Sequence, residues 1–226
     1  MLKDNQPTYY PPQPTDLSVE SKHEVELILG FIDDNISAFC DYYQNNQDSN
    51  KENWISNLLV RHFQICNIEQ GGFLPFDFSK NPPQSQSGKE TDIGVYALTR
   101  NTKPITIIEF EAKRFSETSK FKEYVSGERG GIERFKRGEH ASHLWICGMF
   151  AYVQSRTSNE WIQKVNEWIS ELAKKNNNPE IDWTSPDEKL SLISYLSPKV
   201  ELQKSVNKRK KPLDSITIYH YFINLN

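Results

Sequence analysis

ETDIGVYALTRNTKPITIIEFEAK, residues 90–113, is the part of the sequence from which the architecture can be predicted. It contains two apolar segments that predict neighbouring β-strands, at about residues 91–98 and at residues 105–113, with a turn between them. Asp92 lies near the start of the first strand, and the second strand ends in the charged sequence EFEAK. The two strands therefore bring a small acidic cluster and one lysine close together.

The charged residues of the second strand are expected to share one face. Because successive side chains of a strand point to opposite faces, Glu109, Glu111 and Lys113 lie on one side, and the apolar residues between them point into a core. The two carboxylates then stand only about 6–7 Å apart, at ~3.3 Å per residue. Like charges this close along a half-buried strand repel each other unless a cation lies between them. The pattern therefore indicates a site for a hard cation.

The segments before this pair predict two helices and a short strand. Apolar residues at helical spacing predict one helix over residues 21–43 and a second over residues 51–66. The spacing S-x-x-E at the start of the second helix makes Glu52 a candidate for a reciprocal cap, and a metal or substrate role is the alternative. His62 lies on the apolar stripe of this helix and is expected to be a core residue. The strand is predicted at residues 73–78.

A basic segment follows Lys113. Its glycines are expected to divide it into helical fragments. Positive charge is concentrated there, next to the acidic cluster, in Lys120, Lys122, Arg129, Arg134, Lys136 and Arg137. Phosphate groups are bound by such charges, and glycine lets backbone N–H groups approach an anion closely. A solvated helical face with ordinary i,i+4 ion pairs is the alternative interpretation.

The C-terminal part predicts further sheet strands and one helix. Residues 144–154, LWICGMFAYVQ, are almost continuously apolar and predict a central strand that is covered on both faces. A helix capped by Ser158 is predicted to run to about Lys175. Further strands are predicted at residues 190–196, 200–206 and 215–225. Residues 208–211, KRKK, are either the soluble turn of a hairpin or a clamp for the backbone of a polyanion.

Composition limits the classes of protein that fit. We expect a Pro-rich, flexible lead-in at residues 1–16 and a single α/β domain at residues 17–226. The formal net charge of −3 gives no overall attraction to nucleic acid, so any basic surface must be local. The sequence contains neither an apolar run that could cross a membrane nor a secretory leader pattern. The three cysteines are expected to be reduced core residues of a cytoplasmic protein.

Asp92, followed by an apolar strand that ends in EAK at residues 111–113, resembles the motif of the PD-(D/E)xK nuclease superfamily. The resemblance covers about residues 50–155, where the predicted order of elements is similar to the αβββαβ core of that family. Thr91 stands where the nominal pattern has proline, and Glu109 is an acid that the motif does not require. The resemblance implies a restriction-endonuclease-like mixed sheet flanked by helices, with extra N-terminal helices and a β-rich C-terminal extension.

The resemblance also implies an activity, that of a Mg²⁺-dependent endonuclease that hydrolyses phosphodiester bonds in DNA and in which Mn²⁺ substitutes for Mg²⁺. Asp92 and Glu111 are expected to hold the ion, with Glu52 as a further candidate ligand, and Lys113 is expected to position the attacking water or to stabilise developing charge. The candidates for binding the phosphates of the substrate are Arg129, Arg134 and Lys136. Cleavage of both DNA strands would suit a homodimer.

Two other functions remain open at this point. The first is a catalytically inactive module with the nuclease fold that binds nucleic acid or a partner protein. The second is an α/β enzyme of another class that acts on a small phosphorylated substrate, although the sequence lacks the GxxxxGK[ST] phosphate loop. Uptake of Mg²⁺ or Mn²⁺ would distinguish the nuclease from the inactive module.

Overall fold

A computed structural model of the chain describes residues 19–72, 74–81, 91–98, 106–118, 120–175, 181–184 and 186–226. Within them, four α-helices flank a sheet: α1 (Val19–Asn45), α2 (Glu52–Glu69), α3 (Gly131–Arg137) and α4 (Ser158–Lys175). The sheet has seven strands, β1 (Phe76–Lys80), β2 (Ile93–Ala97), β3 (Thr106–Phe115), β4 (Ile146–Val153), β5 (Ser191–Ser197), β6 (Val200–Asn207) and β7 (Ile216–Asn224). Short 3₁₀ turns lie at Phe121–Tyr124 and Pro186–Glu188. The predicted α/β class with a mixed, helix-flanked sheet is confirmed.

The strands follow the spatial order β1-β2-β3-β4-β7-β6-β5. The first three form an antiparallel meander, β4 runs parallel to both β3 and β7, and β6 is antiparallel to both β7 and β5. β4 is therefore the middle strand of the sheet, as its continuous apolar sequence predicts. The β-rich C-terminal extension extends the same sheet rather than forming a separate one.

Two apolar cores cover the two faces of the sheet. The helices α1 and α2 pack on one face, where the rings of Phe63 and Phe150 lie 6.4 Å apart. The helices α3 and α4 cover the other face, where Phe115 stacks on Trp161 at 4.8 Å. Residues of β4 alternate between the two cores, which explains why nearly every position of that strand is apolar.

The helix starts differ from two of the predicted caps. The N-cap of α2 is Lys51, and the carboxylate of Glu52 accepts a hydrogen bond from the backbone N–H of Arg114 at 2.9 Å. The reciprocal-cap interpretation of Glu52 is therefore wrong, because a tertiary contact takes the place of the local one. At α4 the cap is Thr157 rather than Ser158, since the Thr157 hydroxyl accepts the Glu160 backbone N–H at 3.2 Å.

Several smaller predictions can be compared with the structure. The three cysteines are free and buried, as expected. His62 is buried, and its Nε2 lies 2.9 Å from the carbonyl oxygen of Asn35, which confirms a core role. No helix among the described residues has the length and apolar character needed to cross a bilayer. The Pro-rich lead-in predicted at residues 1–16 lies outside the described residues.

Candidate functional site

The candidate site forms where β2 and β3 separate. Their pairing ends at Ile93 opposite Phe110, whereas β3 continues to Phe115. Backbone N–H groups beyond this point need other partners, because an unpaired buried donor is costly. The Asp92 carboxylate accepts the N–H of Ala112 at 2.7 Å, and Glu52 from α2 accepts the next N–H on the same edge, as described above. The extended end of β3 therefore positions both carboxylates.

Glu111 is the centre of the cluster. Its side chain is only 1% exposed. One oxygen, Oε2, accepts a hydrogen bond from Lys113 Nζ at 3.1 Å. The other, Oε1, accepts one from Arg134 Nη1 at 3.2 Å and lies 3.1 Å from His140 Nε2. The sequence predicted a cation to offset the acidic charge, and the protein supplies cations of its own from β3 and α3.

The pKa values of the cluster show how closely its charges interact. Burial first, and the neighbouring Glu111 second, raise the pKa of Asp92 to about 6. Burial likewise raises the pKa of Glu52, against the opposing effect of Lys113. Burial tends to lower the pKa of Lys113, but Glu111, Asp92 and Glu52 outweigh it, so that this pKa is raised. Lys113 therefore carries its proton at neutral pH, which favours electrostatic stabilisation over general-base chemistry.

The donor set can be compared with the requirements of a metal ion. Within the described residues, no group of three or more His, Cys, Asp or Glu side chains is placed so that it could hold a metal. The two acids that do approach each other are Asp92 and Glu111, whose carboxyl groups interact directly. Mg²⁺ is commonly held by one or two carboxylates together with waters and substrate phosphates. The pair therefore fits Mg²⁺ or Mn²⁺, and Glu52 does not complete a three-acid set.

A cleft of about 350 Å³ opens beside the cluster. It lies between the first turn of α2, the end of β3 and the 3₁₀ turn Phe121–Tyr124. The residues that line it are Lys51, Glu52, Lys113, Arg114, Phe115, Lys120, Phe121, Glu123, Tyr124 and Arg129. Cationic side chains outnumber acidic ones along its walls, so the cleft suits an anionic ligand.

The three predicted phosphate contacts have different positions. Arg129 is exposed and lines the cleft. Arg134 lies in the cluster, bound to Glu111. Lys136 is not on this surface: it is 0% exposed, pairs with Glu188 and lies over the ring of Trp183. Its assignment as a substrate contact is therefore wrong, because α3 turns this side chain into the protein.

Two further predictions concern charged residues near the site. Glu109 is buried, and its Oε2 accepts the backbone N–H of Ala141 at 3.0 Å.

In the KRKK segment, Lys208 pairs with Asp182 at 2.8 Å. Arg209 is only 4% exposed and donates to the carbonyl oxygen of Ala141. The buried Arg209 supports the turn itself, so the clamp interpretation does not apply to this arginine.

Some site residues were not predicted as such from the sequence. His140, Lys51 and Arg114 are not among the site residues predicted from the sequence. Only the folded chain brings His140 and Lys51 to β3, from the loop after α3 and the start of α2, whereas Arg114 belongs to β3 itself. The sequence spacing contains no signal for these contacts.

Comparison of the chain with family models, with curated proteins and with solved structures gives no match. The functional interpretation therefore depends on the residues of the site and their geometry.

Proposed function

We propose that this protein is a Mg²⁺-dependent nuclease that hydrolyses phosphodiester bonds in DNA and has a restriction-endonuclease-like core. The observation that carries the proposal is the convergence of Asp92, Glu111 and Lys113 at the end of β3, next to a cleft rich in cations. Phosphodiester cleavage needs a held cation, a stabilised negative charge and a path for the phosphate chain.

The arrangement of the elements supports the relationship to this fold. Between α2 and β4 the order is helix, three strands, helix and strand, in agreement with the αβββαβ core implied by the motif. The three strands form an antiparallel meander, and β4 is parallel to β3. Asp92 lies one residue before β2, and Glu111 and Lys113 lie near the end of β3, so the two parts of the motif are close together at one end of two adjacent strands.

Each residue of the cluster has a distinct role in the proposed reaction. Asp92 and Glu111 would hold the ion, which polarises the phosphate and lowers the pKa of a water molecule when it is bound. Lys113 stays protonated, and its Nζ donates hydrogen bonds to the phosphate oxygens on which negative charge develops. Arg134 holds one oxygen of Glu111 and thereby fixes the orientation of this carboxylate.

Plasmid cleavage tests this proposal. Supercoiled DNA should be nicked or degraded by the purified protein with Mg²⁺ or Mn²⁺ and should stay intact with EDTA. Asp92→Asn and Lys113→Met should each lower the rate by at least about 100-fold, because the first weakens the binding of the ion and the second removes a donor to the phosphate. Glu171→Gln, an exposed substitution on α4, is the control and should cleave like wild type. Circular dichroism spectra should show that all the variants are folded.

A catalytically inactive nucleic-acid-binding module is the second candidate. It is favoured by the ion pairs of Glu111 with Lys113 and Arg134, which neutralise this carboxylate without a metal. In that case calorimetry would detect no uptake of Mg²⁺ or Mn²⁺, while mobility shifts would still detect salt-sensitive binding of DNA. Heat of binding that disappears in Asp92→Asn would favour the nuclease.

A further inference from the structure

We propose that the cleft binds the phosphates that flank the cleaved bond, through Lys51, Lys120 and Arg129. The inference rests on the proposed nuclease function and extends it to the path of the substrate strand. It assigns a binding role to Lys51 and Lys120, which lie outside the motif, and it leaves the cleaved phosphate to the Asp92 cluster.

The shape of the surface defines a path for the DNA strand. The cleft of about 350 Å³ begins at Lys113, and a second cavity of about 410 Å³ adjoins it. Both cavities are lined by Lys120, Glu123 and Arg129, so they form one groove that leads away from the cluster. A linear polymer fits such a groove, whereas a small metabolite would occupy only one end of it.

Not every cation along the groove is available to a ligand. Lys113 is bound to Glu111 and, in the proposed reaction, contacts the cleaved phosphate rather than the flanking ones, and Arg114 Nη1 donates to the carbonyl oxygen of Asn50 at 2.9 Å. Lys51 and Arg129 are exposed and form no ion pair with any residue that the structure describes.

Lys120 is also available. It has only a surface pair with Glu123 at 3.7 Å, and its side chain is 81% exposed. Exposed pairs of this kind contribute little to stability, so a phosphate can readily take the place of the carboxylate. Three cations along the groove can therefore contact phosphates.

The wall that presents Lys120 and Arg129 is anchored to the protein. Tyr124, at the end of the 3₁₀ turn, is buried, and its hydroxyl lies 2.8 Å from Nδ1 of His220 on β7. The backbone N–H of Gly127 donates to the Glu133 carboxylate at 2.7 Å. Because the side chain of Tyr124 and the backbone of Gly127 anchor this wall, it presents its cations without the entropy cost of ordering a loose loop.

Salt-dependent DNA binding tests the assignment. Anisotropy of a fluorescein-labelled DNA duplex in EDTA measures binding in the absence of catalysis. The slope of log K against log salt should become shallower by about 0.9 for each of Lys51→Ala, Lys120→Ala and Arg129→Ala, and by about 2.7 for the triple variant. Lys174→Ala, an exposed lysine at the end of α4, is the matched control and should leave the slope unchanged. An unchanged slope in the triple variant would overturn the proposal.

A second measurement separates this inference from the proposed function. Bis(4-nitrophenyl) phosphate is a phosphodiester without flanking phosphates, so its hydrolysis with Mn²⁺ should be lost in Asp92→Asn, whereas the triple variant should lose much less of this hydrolysis than of its DNA cleavage. If the folded triple variant lost as much of this hydrolysis as Asp92→Asn does, a role of the three cations confined to flanking phosphates would be contradicted. Salt-dependent binding through the three cations, in a protein that hydrolyses no phosphodiester, would support phosphate binding by the cleft and contradict the nuclease function.

Discussion

The carboxylate of Asp92 accepts a hydrogen bond from the backbone N–H of Ala112 at 2.7 Å. This bond joins the two parts of the motif, because Ala112 lies between Glu111 and Lys113. It also directs Asp92 toward Glu111, and the two carboxyl groups meet in a largely buried place. Lys113 and Arg134 pair with Glu111, but in the absence of a metal ion the burial of Asp92 beside this carboxylate still costs stability.

Removing one of these charges should stabilise the metal-free protein. The pKa of Asp92 is raised from 3.8 to about 6, so the folded state is penalised once the pH exceeds the unfolded-state pKa, and the penalty is complete above pH 6. Asp92→Asn keeps an oxygen for the Ala112 N–H and removes the charge. In urea titrations with EDTA at about pH 8, the free energy of unfolding of the variant should exceed that of wild type by about 1–3 kcal/mol. This difference should vanish below about pH 4. An equal loss of stability at both pH values would contradict this account.

A divalent ion should stabilise the wild-type protein. An ion that binds only the folded state raises the melting temperature with its concentration. Because protons compete for Asp92, the shift caused by Mn²⁺ should be large at about pH 8 and should fade as the pH falls below about 6. Differential scanning fluorimetry measures this shift. Asp92→Asn should show little shift at either pH, and a full shift in that variant would place the ion elsewhere.

The buried His220 should make the fold sensitive to acid. Burial lowers its pKa from 6.5 to about 3, so its contribution to stability is complete above pH 6.5 and is lost as the pH falls toward 3. At most about 4–5 kcal/mol is lost over this range. His220→Gln removes the titrating group, so its unfolding free energy should fall less steeply with pH in urea titrations. Identical pH slopes for wild type and variant would rule out this role.

Lys136 should affect stability and not substrate binding. Its ammonium pairs with Glu188, and both side chains are fully buried. Lys136→Met leaves the buried carboxylate of Glu188 without its ion-pair partner. The free energy of unfolding, measured by chemical denaturation, should fall by about 3–5 kcal/mol. Lys136→Met/Glu188→Leu should recover most of this loss. Under folding conditions DNA affinity should equal that of wild type, unlike that of Arg129→Ala, and a selective loss of affinity would return Lys136 to the binding surface.

The sequence predicted the elements whose side chains follow a long, regular pattern. α4 was predicted within its observed bounds, and β4 was correctly identified as the central strand because nearly every position is apolar. Asp92 and the EAK tripeptide were correctly predicted to lie close together, although β2 begins one residue after Asp92. These features depend on local periodicity, which a single sequence contains.

The errors have a common cause in tertiary contacts. Arg134 and Lys136 are two residues apart on a helix of seven residues, too short for a periodic stripe to show which side chain faces the sheet. Packing decides, and it buries Lys136. Glu52 fits a capping pattern, but the unpaired N–H of Arg114 competes for its carboxylate and is its partner in the fold. Such competition cannot be read from spacing.

The central claim is that Asp92 and Glu111 together hold a divalent cation. Anomalous diffraction from crystals of the protein grown with Mn²⁺ measures this directly. The account predicts one strong anomalous peak within coordination distance of both carboxylates, and its absence in crystals of Asp92→Asn. Wild-type crystals with no peak between these two side chains, or with Lys113 and Arg134 alone facing Glu111 at saturating Mn²⁺, would contradict it.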